Sequence, residues 1–216
     1  MSGALSPTLS AERIRYLALG DSYTIGTGAS DDSQNYPSII AGRVAKATGR
    51  QVDLTNPAVN GFTTTDLIEH ELGYVRSIRP QLVSVLIGVN DLVQGRTPEQ
   101  YRASLERIYD AVAGLGLRTG LVAAISIPDW SVVPAARDFG EPDRLRRATE
   151  TFNGIAKEEA GSRGFTWVDI TEVSSSKSGA DGWISEDRLH PGDMQYAAWA
   201  DVIWVAVRES WSSAKS

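Results

Sequence analysis

The chain has 216 residues, no cysteine and a formal net charge of −6. That length suffices for one domain with a substantial core and no disulfide or metal staple. The acidic balance excludes a nucleic-acid partner, which needs a basic stripe, and no apolar run is long enough to span a bilayer. No basic leader with an apolar core marks secretion, so the expectation is a cytoplasmic protein without membrane insertion.

Residues 1–13 read as a polar lead-in, 14–211 as a single domain and 212–216 as a tail. The apolar run 16–19 reads as a buried strand. It runs into Asp21, Ser22, Thr24, Gly26 and Gly28, residues of a glycine-rich loop. Ile39, Ile40 and Val44 fall at helical spacing within 37–48, with Gly49 as a stop. Val52 and Leu54 mark a second strand leading to Asn56-Pro57. Thr64, Thr65 and Asp66 cap one helix running through Ile68, Leu72 and Val75 and ending before Pro80.

Residues 82–87 are almost continuously apolar, as a strand covered on both faces should be. Thr97, Pro98 and Gln100 make a capping box with proline at the first helical position. Tyr101, Leu105, Ile108, Val112 and Leu115 then form one buried helical stripe. A fourth strand over 121–127 leads into an irregular stretch, 128–141, before Pro142 opens a helix. A fifth strand over 165–170, a long loop over 171–191 and a helix from 193 to 211 complete the chain. Trp199, Trp204 and Trp211 fall on that last helix, to pack on a sheet or to make a dimer contact. The oligomeric state stays open. Strand–helix alternation without hairpin signals predicts a three-layer α/β/α sandwich around a five-stranded parallel sheet.

In such a sheet the residues that follow the strands meet on one edge. Ser22, Asn60-Gly61, Gly88-Val89-Asn90-Asp91 and the Asp187/His190 pair all follow strands. Serine needs a base to become a nucleophile at neutral pH. Of the two histidines, His190 lies on the predicted edge. His70 stands four residues after Asp66, the spacing of a surface pair on a helix. Acyl transfer follows, with Ser22 as nucleophile, His190 as base and Asp187 as orienting carboxylate. Oxyanion donors would come from the Ser22 and Gly61 N–H groups and the Asn90 carboxamide. Neither a P-loop nor a dinucleotide fingerprint is present, and two isolated histidines without cysteine do not make a zinc site. No cofactor and no metal are expected.

The blocks Gly20-Asp21-Ser22, Asn60-Gly61, Gly88-Val89-Asn90-Asp91 and Asp187-Arg188-Leu189-His190 resemble, in order and placement, those of the SGNH hydrolases, the GDSL-type esterases and lipases. The resemblance implies a flavodoxin-like fold and a triad of Ser22, Asp187 and His190. It also implies an oxyanion hole of Ser22, Gly61 and Asn90. Tyr23 stands where the family name has leucine, which bears on substrate shape. The family spans esterases, lipases, thioesterases and carbohydrate deacetylases; a non-catalytic flavodoxin-like binding domain is the competing reading.

The expected partner is a small-molecule ester with a short acyl group. Asp129, Arg137 and Asp138 interrupt the apolar residues of 128–141 and are costly to bury against a long alkyl chain. Trp130, with Tyr23, is the expected wall of the substrate pocket.

Overall fold

The computed structural model describes residues 13–214. Residues 1–12, most of the expected lead-in, and 215–216 of the tail lie outside the described residues. Five strands form the sheet: β1 (Ile14–Gly20), β2 (Val52–Thr55), β3 (Leu82–Leu86), β4 (Val122–Ile125) and β5 (Thr166–Val168). All pair in parallel, in the order β2-β1-β3-β4-β5. The central β3 is buried at every position, which is why its sequence shows no apolar–polar alternation.

Parallel neighbours require crossovers, and these are right-handed almost without exception. The chain steps from β1 to β2 through α2 (Tyr36–Thr48), then back past β1 to β3 through α3 (Thr64–His70) and α4 (Leu72–Ile78). The reversal puts α2 on one face and α3 and α4 on the other. On that second face α6 (Pro98–Ala113) packs against α3, α4 and α7 (Pro142–Ser162), while α9 (Asp193–Trp211) packs against α2 on the first. The capping box at Thr97 and Gln100 is formed as expected.

Trp199 and Trp211 are fully buried, and the Trp211 indole donates to Gly120 O. Tyr16 meets Trp211 edge-on at 5.1 Å. Two of the three tryptophans on α9 therefore serve the core, and Trp204 packs partly buried against it. Ala214 is also buried, and its carbonyl accepts from Arg50 Nη1.

Differences from the sequence reading cluster near the strand ends. Short helices α1 (Ser22–Ile25), α5 (Val89–Val93) and α8 (Thr171–Ser175) stand where loops were expected. Asp21 explains the first: its Oδ1 accepts the Tyr23 N–H, and Gly26, in the left-handed region, closes the turn by donating to Ser22 O. The single helix expected from 64 towards Pro80 is two helices that meet at Glu71.

Gly20 pairs with Leu86 where β1 and β3 end, and a Cβ there would stand 2.2 Å from Leu86 O and 2.2 Å from Thr24 Oγ1. The carbonyl belongs to the sheet and cannot step aside. Gly20→Ala should therefore cost about 1–3 kcal/mol, the usual range for overpacking, read as a lower urea midpoint. An unchanged midpoint would show that the strand end is not this tight.

Candidate active site

Each strand end delivers one part of the site. β1 ends at Gly20, and Ser22 opens α1 at a position where helix N–H groups have no partner within the helix. Ser22 is 4 % exposed. Among the described residues its Oγ makes no hydrogen bond.

The loop after β5 and α8 presents the acid–imidazole pair. Asp187 Oδ2 lies 2.6 Å from His190 Nδ1. Asp187 Oδ1 accepts from Ser185 Oγ, Leu189 N and His190 N at 2.7, 2.8 and 2.9 Å. Partial burial pulls this carboxyl upward, but those donors and the imidazole outweigh it and hold it well below the usual carboxylate range. So tight a wrap needs an unusual backbone: Arg188 sits at φ +66°, the left-handed region. Its carbonyl accepts from Ala135 N, tying the turn to the segment after β4. An antiparallel bridge between Ile184 and Pro191 closes the base of the turn.

Tyr23 connects the two halves. Its ring lies edge-on to the His190 imidazole at 6.1 Å and to Trp199 at 5.6 Å. The imidazole is thus seated against the residue that follows Ser22. Tyr23 is 3 % exposed, so it braces the histidine and offers little wall to a ligand.

The third and fourth parts come from β2 and β3. Asn90, on α5, donates from Nδ2 to Phe62 O at 2.9 Å. Asp91 accepts from Thr64 N at 2.8 Å and Thr64 Oγ1 at 2.5 Å. Two adjacent residues thereby staple the 60–64 loop to α5, with exposed Gly61 at φ +86° inside the stapled stretch. Asn56 Nδ2 donates to Thr24 O at 2.8 Å and anchors the start of the same loop to α1. An amide of Asn90 spends one N–H on Phe62 and keeps a second.

His70 is exposed on α3, tilted against Phe62 at 5.5 Å and 4.0 Å from Glu69. Among the described residues neither His70 nor His190 hydrogen-bonds to Ser22, but His190 stands against Tyr23, the next residue, and His70 does not. Trp130 departs from the expected pocket wall. It is 2 % exposed, its indole donates to Thr149 Oγ1 at 3.2 Å, and Phe139 covers it edge-on at 5.7 Å. The indole finds its partner on α7, inside the protein, because a buried N–H left unpaired is expensive.

Sequence reasoning passed over Glu71. It is fully buried, and its Oε2 accepts the Gly20 N–H at 3.0 Å. Leu67, Glu71 and Val75 are spaced four apart in the sequence, and all are buried. A glutamate at that apolar spacing was the available signal. Burial raises its carboxyl from the ordinary 4.5 to about 8, the Gly20 N–H opposing and the Asp21 charge adding. Burial likewise raises Asp21 to about 7, against the Tyr23 N–H and with Asp91 adding. Among the described residues no group of three or more His, Cys, Asp or Glu is placed to hold a metal, and no helix is long and apolar enough to cross a membrane.

Two cavities flank this edge. An open cleft of about 800 Å³ beside Asp187 is lined by glycines, serines, Glu186 and Asp193 together with Ile184 and Met194; Ser22 and His190 are not among its lining residues. A second, about 430 Å³, lies behind α5 between Leu92, Val93, Phe139, Leu145 and Phe152, with Arg96 and Arg144.

Solved structures identify the architecture. TesA superposes with a TM-score of 0.72 at 20 % identity over 90 % of this chain and 98 % of its own. A mutant of an acetyl-xylooligosaccharide esterase from Geobacillus superposes at 0.72 and 18 % identity, over 92 % and 96 %. The fold is therefore that of the SGNH hydrolases. The model of the GDSL-like lipase/acylhydrolase family matches residues 18–198, and the chain belongs to that family. A GDSL-like esterase of Mycobacterium tuberculosis is 26 % identical over 207 residues, 91 % of this chain; the chain spans 62 % of that relative's length.

The placement of Trp130 has a direct consequence. Trp130→Ala should destabilise the fold by about 3–5 kcal/mol, as large-to-small changes of buried tryptophan do. Acyl-chain preference should stay the same. A changed preference at unchanged stability would return Trp130 to the pocket wall.

Proposed function

We propose that the protein is a carboxylic ester hydrolase that works through an acyl-enzyme on Ser22. The observation that carries this reading is the 2.6 Å bond between His190 Nδ1 and Asp187 Oδ2, beside the helix that Ser22 opens. An ionised Asp187 makes Nδ1 the protonated nitrogen, so the lone pair sits on Nε2. His190 then takes the Ser22 proton as Oγ attacks the ester carbonyl, and returns it to the leaving alcohol. Water, activated by the same imidazole, releases the acid. Negative charge on the tetrahedral oxygen is met by the Ser22 and Gly61 N–H groups and by the free N–H of Asn90.

The acyl group in this reading is short. The cleft beside Asp187 sets three carboxylates, Glu186, Asp187 and Asp193, among glycines and serines, with Ile184 and Met194 its large apolar side chains. Such walls give a long alkyl chain little apolar surface to bury. The apolar cavity behind α5 is bounded by two guanidinium groups, which are costly to bury against hydrocarbon. The open cleft with its three carboxylates also leaves room for a hydrated alcohol part, which makes an O-acetylated carbohydrate the second reading. A thioester would use the same machinery.

The mechanism is tested by labelling. A small organophosphonate should add one equivalent to Ser22, read by intact mass, and Ser22→Ala should take up none. Ser22→Ala, His190→Ala and the double variant should show nearly equal losses of kcat, about 10⁴-fold or more, because residues acting as a unit are non-additive. Inactivation by His70→Ala with His190→Ala spared would overturn the assignment.

The substrate is tested by kcat/KM along p-nitrophenyl esters from acetate to palmitate, beside acetylated xylo-oligosaccharides and an acyl thioester. Acetate or butyrate should lead the ester series. An optimum at laurate or palmitate would refute the short-acyl reading.

A further inference from the structure

The site as described leaves one buried titratable group unused. Glu71 is completely enclosed, forms no ion pair among the described residues, and spends Oε2 on the N–H of Gly20. Gly20 ends β1 and stands two residues before the nucleophile. Glu71 Oε1 is buried without a partner, and so is Asp21 Oδ2. Two carboxylates, both charged and both with an orphaned oxygen, would be a severe penalty in one enclosure. A retained proton removes one of the two charges, while Oε2 still accepts the Gly20 N–H.

We propose that Glu71 is a positioning residue for the nucleophile: its carboxyl, lodged under the Gly20–Ser22 turn, holds the Gly20 N–H, and a second full charge there beside Asp21 would push the turn apart and shut the site in alkali. The inference rests on Ser22 being the nucleophile. The helix break between α3 and α4 fits this role, since the chain turns at Glu71 and delivers its side chain to the end of β1.

The surroundings restrict what else can titrate there. From the β1–α1 turn, Asp21 faces the cluster; from α5, Asp91 does, with Arg96 Nε 3.6 Å from Asp91. Tyr16 of β1 and Tyr36 of α2 stand nearby, and burial holds both phenols neutral past the range that matters. Burial raises both Asp21 and Glu71, and the Asp21 charge raises Glu71 further, so the second ionisation of this pair is the unfavourable one.

The sign of the linked stability follows. The folded state keeps the Glu71 proton between 4.5 and about 8 while the unfolded chain releases it. The fold binds more protons in that window, so stability falls as pH rises through it. Glu71→Gln keeps an acceptor for Gly20 N–H, adds a donor and cannot ionise. Its Tm should fall less between pH 5 and 8.5 than that of the wild type.

The decisive experiment is kcat/KM from pH 5 to 10 for the full-length wild type, Glu71→Gln and Glu71→Leu, with phosphonate titration of active sites at each pH. Wild-type activity should descend with a midpoint near 8, and Glu71→Gln should lack that descent. Glu71→Leu should lower kcat at pH 7 by about tenfold or more with KM within about twofold, as loss of alignment does. The same alkaline descent in Glu71→Gln, or wild-type kcat in Glu71→Leu, would overturn the proposal. If Glu71→Leu does not fold, the Glu71→Gln profile and its Tm slope decide alone. A wild type that takes up no phosphonate at Ser22 overturns the nucleophile assignment instead, and the two failures are separately visible.

Discussion

The pairing of Gly20 with Leu86 at the ends of β1 and β3 sets the position of everything that follows. The sheet reverses direction between these strands: the chain leaves β1 towards β2 on one side and builds β3, β4 and β5 on the other. Loops after strands diverge at such a point and open a crevice. Ser22 follows one flank of the crevice and Asn90 the other. A backbone glycine is required because the two strands close onto Thr24 and the Leu86 carbonyl with no room for a side chain.

Short polar staples then convert strand ends into fixed geometry. Asp21 caps α1, Asn90 and Asp91 hold the 60–64 loop, and Asp187 gathers Ser185, Leu189 and His190 around one carboxylate. In each case a side-chain acceptor or donor takes up backbone groups that the sheet no longer satisfies. The chain thus holds its donors in place before any ligand arrives, the condition under which electrostatic stabilisation needs no reorganisation. Tyr23 adds the remaining link by seating the imidazole edge against α1.

The strands and long helices were legible because burial writes itself into period and composition. The apolar 82–87 run and the Thr97 capping box needed no tertiary context. The strand-end blocks could be picked out as a set because they follow buried strands at four places in order, although each residue alone is an ordinary turn or cap former. What sequence could not carry was the direction of individual side chains. Trp130 looked like a pocket wall in an irregular stretch, but its indole turns to Thr149 on α7. Glu71 drew no notice within what read as one continuous helix, yet the chain breaks there and sends the carboxyl inward. Neither outcome is local; each depends on a partner many residues away.

Burying acid beside Ser22 is costly to the fold. Asp21, Glu71 and Asp91 are enclosed with raised carboxyls, and an apolar side chain in place of Glu71 would pack without that penalty. Hydrocarbon, however, cannot accept the Gly20 N–H, and an unpaired N–H at the end of β1 would itself be penalised. It would also leave the strand end free to shift, and a small displacement at a reacting centre lowers rate steeply. An acid that stays protonated resolves the conflict: it satisfies the amide without placing a second full negative charge beneath the turn that carries Ser22. The same arrangement makes the site sensitive to alkali, because the proton that makes Glu71 tolerable is also the one that rising pH removes.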